Sequence, residues 1–168
     1  MRLKALPALG LFMASLALLA DQILKTSAHA WVGVHGPIKV FPWLDIIATS
    51  NTGMAFGLGH GASLWLVVGI AVGICAWLFL WLFRTLRSAE AIGLGLAIGG
   101  ALSNVVDRLR LGSVRDFIDV YWQTWHWPAF NLADMAIVTG LGLVILFHEG
   151  RSRSKDGVRR TSEITDES

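Results

Sequence analysis

The feature that most constrains this chain is a run of 21 residues, Ser63 to Phe83, without a single charged side chain. Roughly 20 apolar residues, each rising 1.5 Å along a helix, cross a ~30 Å hydrocarbon core, so this run is a transmembrane helix candidate. Composition agrees: of 168 residues 54% are hydrophobic and only 15% charged, against ~25% charged in soluble domains. Any chemistry must therefore be built from one small membrane domain and its loops. The single cysteine, Cys75, lies inside the apolar run and reads as a small hydrophobe rather than a nucleophile. The net charge of +2 does not point to nucleic acid, because five of the fourteen Lys and Arg sit in the C-terminal tail and a basic edge is ordinary for a membrane protein.

Three shorter apolar stretches accompany this run: Ala5 to Ala20, Ala91 to Val106 and Met135 to Phe147. At 16, 16 and 13 residues each falls short of the bilayer, so each must continue through the polar residues at one end. Those ends are Asp21, Asp107-Arg108 and Asp134. Spans are predicted at about 5–25, 63–83, 90–108 and 132–149, with connecting loops at about 29–62 and 109–131. Four spans put both termini on one side, which would carry nine Lys and Arg against five opposite. The positive-inside bias makes that side cytoplasmic. Ala28-His29-Ala30 resembles a signal-peptide cleavage site, but Asp21-Gln22-Ile23-Leu24-Lys25 keeps helical spacing with Asp21 and Lys25 four apart, so residues 5–25 are read as a span. Residues 151–168, mixed in charge and without apolar periodicity, read as a disordered cytoplasmic tail.

With that orientation Asp21, Asp107, Arg108 and Asp134 all fall at the outward ends of their spans. A charge within the bilayer costs at least ~2.5–3.5 kcal/mol, and aspartate is too short to snorkel, so these residues mark a functional cluster facing the bundle interior. Arg108 is either neutralised by Asp107 or free to hold a substrate carbonyl or ester through its forked donors. Asn104 shares their helix face.

The outer loops are rich in β-formers and aromatics. Val114 to Trp122 alternates as a strand, with Val114, Asp116, Ile118, Val120 and Trp122 on one face. Asp116 thus points with apolar neighbours, which raises its proton affinity. Ile38–Phe41 and Ile46–Ala48 are shorter strand pieces, and Asp45 and Asp119 read as solvated loop acids. Trp31, Trp43, Trp122, Trp125 and Trp127 fit an interfacial aromatic belt. Gly69-x-x-x-Gly73 and Gly95-x-x-x-Gly99 offer close helix contacts.

The chain carries no His-Glu-x-x-His, Gly-x-x-x-x-Gly-Lys or Gly-x-Ser-x-Gly, and its five histidines share no ligand spacing, so metal, NTP and serine-hydrolase chemistry lack support. What remains is a pair of carboxylates, Asp116 and Asp134. Two aspartates close together in a low-dielectric site share one proton, and such a pair can activate water against a peptide bond. Asn131-Leu132-Ala133-Asp134 also fits a helix N-cap with an acid at N3, a reading compatible with catalysis. A proton-coupled transporter is the rival, since buried aspartates also build relays; a purely structural subunit would leave the polar residues without purpose.

Five segments in order then resemble the lipoprotein signal peptidases (signal peptidase II) of bacteria. They are Asp21-Gln22-x-x-Lys25, Asn51-Thr52-Gly53-Met54-Ala55-Phe56, the run Gly99 to Arg108, Val114-Arg115-Asp116-Phe117 and Phe130-Asn131-Leu132-Ala133-Asp134. The resemblance implies four transmembrane helices with a small extracytoplasmic β-layer in the bacterial inner membrane. It implies an aspartyl endopeptidase that removes signal peptides from prolipoproteins by cutting before the diacylglyceryl cysteine, with membrane lipid as the surrounding partner. Its catalytic pair falls on Asp116 and Asp134, and its supporting residues on Asp21, Lys25, Asn51, Gly53, Asn104, Arg108 and Asn131. Ser103 stands where the family often has Gly. The expected state is a monomer with no cofactor, metal or nucleic-acid partner.

Overall fold

A 34-residue helix, α1 (Arg2–His35), opens the chain. In the computed structural model, which describes residues 2–52 and 64–147, it is followed by strands β1 (Ile38–Phe41) and β2 (Leu44–Asn51). Then come α2 (Leu64–Leu82), α3 (Ser88–Leu111), β3 (Val114–Trp122), β4 (Trp125–His126) and α4 (Leu132–Phe147). Gly53, Met54, Ala55, Phe56 and the tail 151–168 lie outside the described residues.

Three of the helices are long and apolar enough to cross a membrane, and α4 is a shorter apolar helix. At 1.5 Å per residue α1 is about 51 Å long, well beyond a ~30 Å hydrocarbon core. It passes straight through Lys25 and the Ala28-His29-Ala30 triplet, so residues 29–35, expected in a loop, are helical. Between Lys25 and His35 there is no proline, and the helix ends only at Gly36-Pro37. Gly36 takes the left-handed conformation at φ 79° and its N–H closes on the Val32 carbonyl at 2.9 Å, a glycine C-cap.

Helix α3 is the centre of the bundle, and its small residues explain why. Gly95 and Gly99 leave no room for a Cβ against the Gly10 and Ala14 backbone of α1. On another face Gly93 and Gly100 meet the Gly140 and Ala133 backbone of α4 just as closely. Backbones can approach this way only where side chains are absent, the usual device for packing helices in lipid. The expected contact at Gly69 and Gly73 does not form among the described residues, none of which lies within 4 Å of either position. Helix α2 buries a different stripe, Val68, Cys75, Leu78 and Leu82, which leaves the glycines facing outward.

The four strands form an antiparallel sheet in the order β1-β2-β3-β4. β1 and β3 occupy the residues predicted as strands. Gly112, left-handed at φ 74°, ends α3 and turns the chain directly into β3. The alternation expected for β3 is overridden at its start, where Val114, Asp116 and Phe117 are all buried. Asp45 and Asp119, expected as loop acids, instead sit opposite one another on β2 and β3. Tyr121 donates its hydroxyl to Asp45 at 3.3 Å, and His126 Nδ1 lies 2.9 Å from Asp119. The five tryptophans of the predicted outer loops are all exposed.

Candidate active site

The polar ends of α1, α3 and α4 meet beside the start of β3. Asp116 is buried at 3% exposure on β3, and Asp134 occupies the first turn of α4. Asn131 connects them. Its side-chain oxygen accepts the Asp134 N–H at 3.0 Å, while the Asp134 carboxylate accepts the Asn131 N–H at 3.2 Å, the reciprocal capping box expected from the spacing. The Asn131 amide nitrogen then donates to Asp116 at 2.6 Å. One side chain therefore caps α4 and fixes the position of the β3 aspartate.

The two aspartates have different surroundings. Asp134 also accepts the Asn104 side-chain amide at 2.9 Å. Asp116 sits in a poorly solvated corner, and burial pushes its carboxyl up to about 6; the negative charge of Asp134 adds to the rise and the Asn131 hydrogen bond opposes it. His29 Nε2 lies 3.1 Å from the Asp116 backbone carbonyl, an acceptor only, so that nitrogen is the donor. This contact needs the helical extension of α1, which carries His29 past the expected end of the span.

Behind the aspartates lies a buried ionic layer. Lys25 and Asp21 are fully buried and paired at 2.7 Å, the i,i+4 contact read from their spacing. Asp21 also accepts the Ala133 N–H at 2.9 Å, adding a cap from α1 to the N-terminus of α4. Ser103 donates to Asp21 at 2.6 Å and accepts from Gln22 at 2.9 Å. Asp107 does not neutralise Arg108. Its carboxylate takes Arg115 at 2.8 Å, Gln22 at 2.9 Å and Lys25 at 3.3 Å, because the Gly112 turn folds β3 back over the end of α3. Among the described residues no buried side-chain nitrogen or oxygen lacks a partner, which is what a buried polar network needs to hold one arrangement.

Asn51, Asn104, Arg108, Asp116 and Asp134 line one cavity of about 830 Å³. Asn131 lies just beneath it, Asp21 and Lys25 lie one layer deeper, and Gly53 is outside the described residues. The cavity is polar where β2, α3 and β3 meet and apolar along Met135, Ile137 and Val138 of α4. Sequence reasoning placed Asp107 in the polar cluster but left Gln22, Ser103, Arg115 and His29 out of the site. Three of these four stand inside the quoted motifs, so their positions were marked but their partners were not. His29 carried no signal.

Two carboxyl groups on one cavity, one of them buried into proton-holding range, form a constellation suited to acid–base activation of water. Comparison with known proteins gives the family. Residues 13–148 match the family described as Signal peptidase (SPase) II. The chain is 37% identical over 151 residues to the lipoprotein signal peptidase of Anaplasma phagocytophilum (strain HZ), covering 88% of this chain and 95% of that one. It is 39% identical over 142 residues to that of Coxiella burnetii (strain Dugway 5J108-111), covering 82% and 87%. A bacterial membrane enzyme solved in meso at 1.9 Å superposes with a TM-score of 0.71 at 26% identity, over 82% of this chain and 90% of that one. A second, at 2.3 Å, gives a TM-score of 0.74 at 24% identity, over 87% and 90%, and shares the fold. With the match spanning most of its length, the chain belongs to the signal peptidase II family.

Proposed function

We propose that this chain is a membrane-embedded aspartyl endopeptidase that removes the signal peptide from lipid-modified bacterial prolipoproteins, cutting before the diacylglyceryl cysteine. The observation that carries the reading is the Asn131 bridge, which holds Asp116 and Asp134 on one cavity with unequal environments. Two N–H groups are aimed at Asp134 and one at Asp116, and the richer donor set suits a carboxylate, so Asp134 is the base and Asp116 keeps the shared proton.

The Asp134 carboxylate takes a proton from water as the water oxygen bonds to the scissile carbonyl carbon. Asp116 gives its proton to the carbonyl oxygen. In the tetrahedral diol the C–N bond then breaks, the leaving amine takes the proton from Asp134, and a diol hydroxyl returns one to Asp116. Both groups end as they began. Arg108 and Asn51, on the cavity wall, are placed to hold the substrate backbone or lipid ester. The apolar wall of Met135, Ile137 and Val138 suits a signal helix and acyl chains arriving from the lipid phase.

The location follows from the same reading. α1, α2, α3 and α4 are the four spans of a bacterial inner-membrane protein, with both termini cytoplasmic and the sheet and dyad at the outer leaflet. The nine-to-five Lys/Arg bias supports that orientation, as do the exposed tryptophans around the sheet. Gly53 is assigned to the substrate-binding loop and residues 151–168 to a cytoplasmic tail. The enzyme works as a monomer without a cofactor. A transporter is disfavoured because its acids belong near the midplane, whereas these gather at helix ends. The test is single-turnover cleavage of a diacylglyceryl-modified prolipoprotein by the purified full chain in bilayers. Release of the signal peptide by cleavage of the bond immediately before the modified cysteine is expected; failure to cleave in a well-folded preparation would sink the proposal.

A further inference from the structure

Lys25 is a lysine with no exposure at all, and its ammonium is used three ways. It pairs with Asp21 at 2.7 Å and Asp107 at 3.3 Å, and it donates to the Asn104 side-chain oxygen at 2.9 Å. The third contact has a chemical consequence that the ion pairs lack. A side-chain amide presents an acceptor on one side and two donors on the other, and the two orientations occupy the same volume. An ammonium can only donate. With Lys25 on one side of Asn104, the oxygen must face Lys25 and the NH2 must face the other way, where it meets Asp134 at 2.9 Å.

We infer that Lys25 is a positioning residue: it locks the Asn104 amide so that a donor, not an oxygen, faces the Asp134 carboxylate. Resting on the aspartyl reading, the inference deepens it by giving the deep ionic layer a task in turnover. The direction of donation is consistent through the site. Lys25 donates to Asn104 and Asn104 to Asp134, while Asn131 accepts the Asp134 N–H and donates to Asp116. Asn131 also sends its amide toward the Asn104 oxygen at 3.4 Å, a second vote for the same orientation but a longer one. Asp21 and Asp107 hold the ammonium in place and balance its charge, with Arg115 balancing the remainder. Without Lys25 only the longer Asn131 contact holds the amide, and a turned amide sets its oxygen against a carboxylate oxygen.

The experiment is a double-mutant cycle built on a charge-balanced background. Lys25→Met alone would strand two carboxylates, so every protein carries Asp21→Asn, whose oxygen still accepts the Ala133 N–H. Single-turnover rate and KM for a diacylglyceryl-modified prolipoprotein are measured in bilayers for D21N, D21N/K25M, D21N/N104L and the triple variant, with folding followed by thermal melting. The expected result is a rate loss of about tenfold to a hundredfold on adding K25M to D21N, since hydrogen bonds to charged groups carry that much, with KM within about twofold. On adding K25M to D21N/N104L the rate should change less than about threefold, because the group that Lys25 orients is gone. Equal losses in both backgrounds would overturn the inference by showing that Lys25 acts on the site through its charge. So would an unchanged rate in D21N/K25M, or failure of that protein to fold. If instead the aspartyl reading is at fault, Asp116→Asn and Asp134→Asn in the D21N protein stay active, whatever the cycle gives.

Discussion

Two pairs of aspartates lie at the sheet end of the molecule, and they are built differently. Asp45 and Asp119 face one another across β2 and β3, each with its own partner: the Tyr121 hydroxyl for one and His126 for the other. Their surroundings are wet, and His126 is more than half exposed. Asp116 and Asp134 share a single partner, Asn131, in a corner where Asp116 is almost wholly buried. The second pair is short of water, and the Asp116 carboxyl is pushed up to about 6. The residue type is the same in all four; burial and donor count decide which pair can move a proton.

The largest expected effect separates the pairs directly. Asp116→Asn or Asp134→Asn keeps size and hydrogen bonding but removes half of the acid–base exchange, so single-turnover cleavage should fall by roughly 10²–10⁴-fold. The double variant should be scarcely worse than either single one, because the two act as a unit. Asp45→Asn and Asp119→Asn should cleave normally. A near-normal rate in folded Asp134→Asn would reduce that residue to a helix cap, which Asn fills almost as well.

A smaller effect is expected at the bridge. Asn131→Ala removes a cap from α4 and a donor from Asp116, while leaving both carboxyl groups in the protein. The rate should drop roughly tenfold to a few hundredfold, on the scale of one hydrogen bond to a charged group. The melting temperature should fall with it, since the capping box goes too. Comparable damage from Tyr121→Phe, which frees Asp45, would mean the two pairs are not as distinct as their surroundings imply.

The raised Asp116 carboxyl also has a sign that can be checked without substrate. Its folded value, about 6, exceeds the ~3.9 of an unfolded aspartate, so the folded state binds the proton more tightly. Stability from this group is therefore complete below about pH 4 and is lost as pH rises through about 6. The loss is roughly 2–3 kcal/mol. Asp116→Asn should accordingly melt higher than the parent at pH 7, with the gap closing by pH 4, although it is inactive. The same proton governs turnover: kcat/KM should decline on the alkaline side as the dyad loses it, from about pH 6 upward.

How much of this was legible in the sequence depended on how local the contact is. The Asp21–Lys25 pair and the Asn131/Asp134 capping box lie within one helical turn, and spacing alone reveals them. The Gly95/Gly99 seam was legible as a close contact, though not its partner on α1. Asp107 is the instructive miss. Neighbours on a helix point about 100° apart, so Arg108 was poorly placed to neutralise it, but nothing short of the Gly112 turn says that Arg115 is. The α1 extension to His35 was hidden for another reason: apolar length marks where a membrane ends, and only Gly36-Pro37 marks where the helix does. Gly69 and Gly73 carry the same spacing as Gly95 and Gly99, yet α2 turns them outward, because a motif cannot say which face its helix buries.

The smallest effect is expected farthest from the dyad, and its smallness is informative. Residues 151–168 hold five of the nine Lys and Arg on the proposed cytoplasmic side and lack any apolar periodicity. If the site lies at the outer leaflet, these residues are separated from it by the full bilayer. Their charge, beyond the ~8 Å over which salt leaves it effective, cannot reach Asp116 or Asp134. Deleting 151–168 should leave the single-turnover rate within about twofold in a protein that inserts at normal levels, and should leave the pH profile unmoved. The deletion also weakens the positive-inside bias, from nine against five to four against five, so insertion must be scored separately with reporter fusions. A correctly inserted, truncated enzyme that loses turnover would place the tail near the chemistry and undo the assignment of the two aspartate pairs to the outer side.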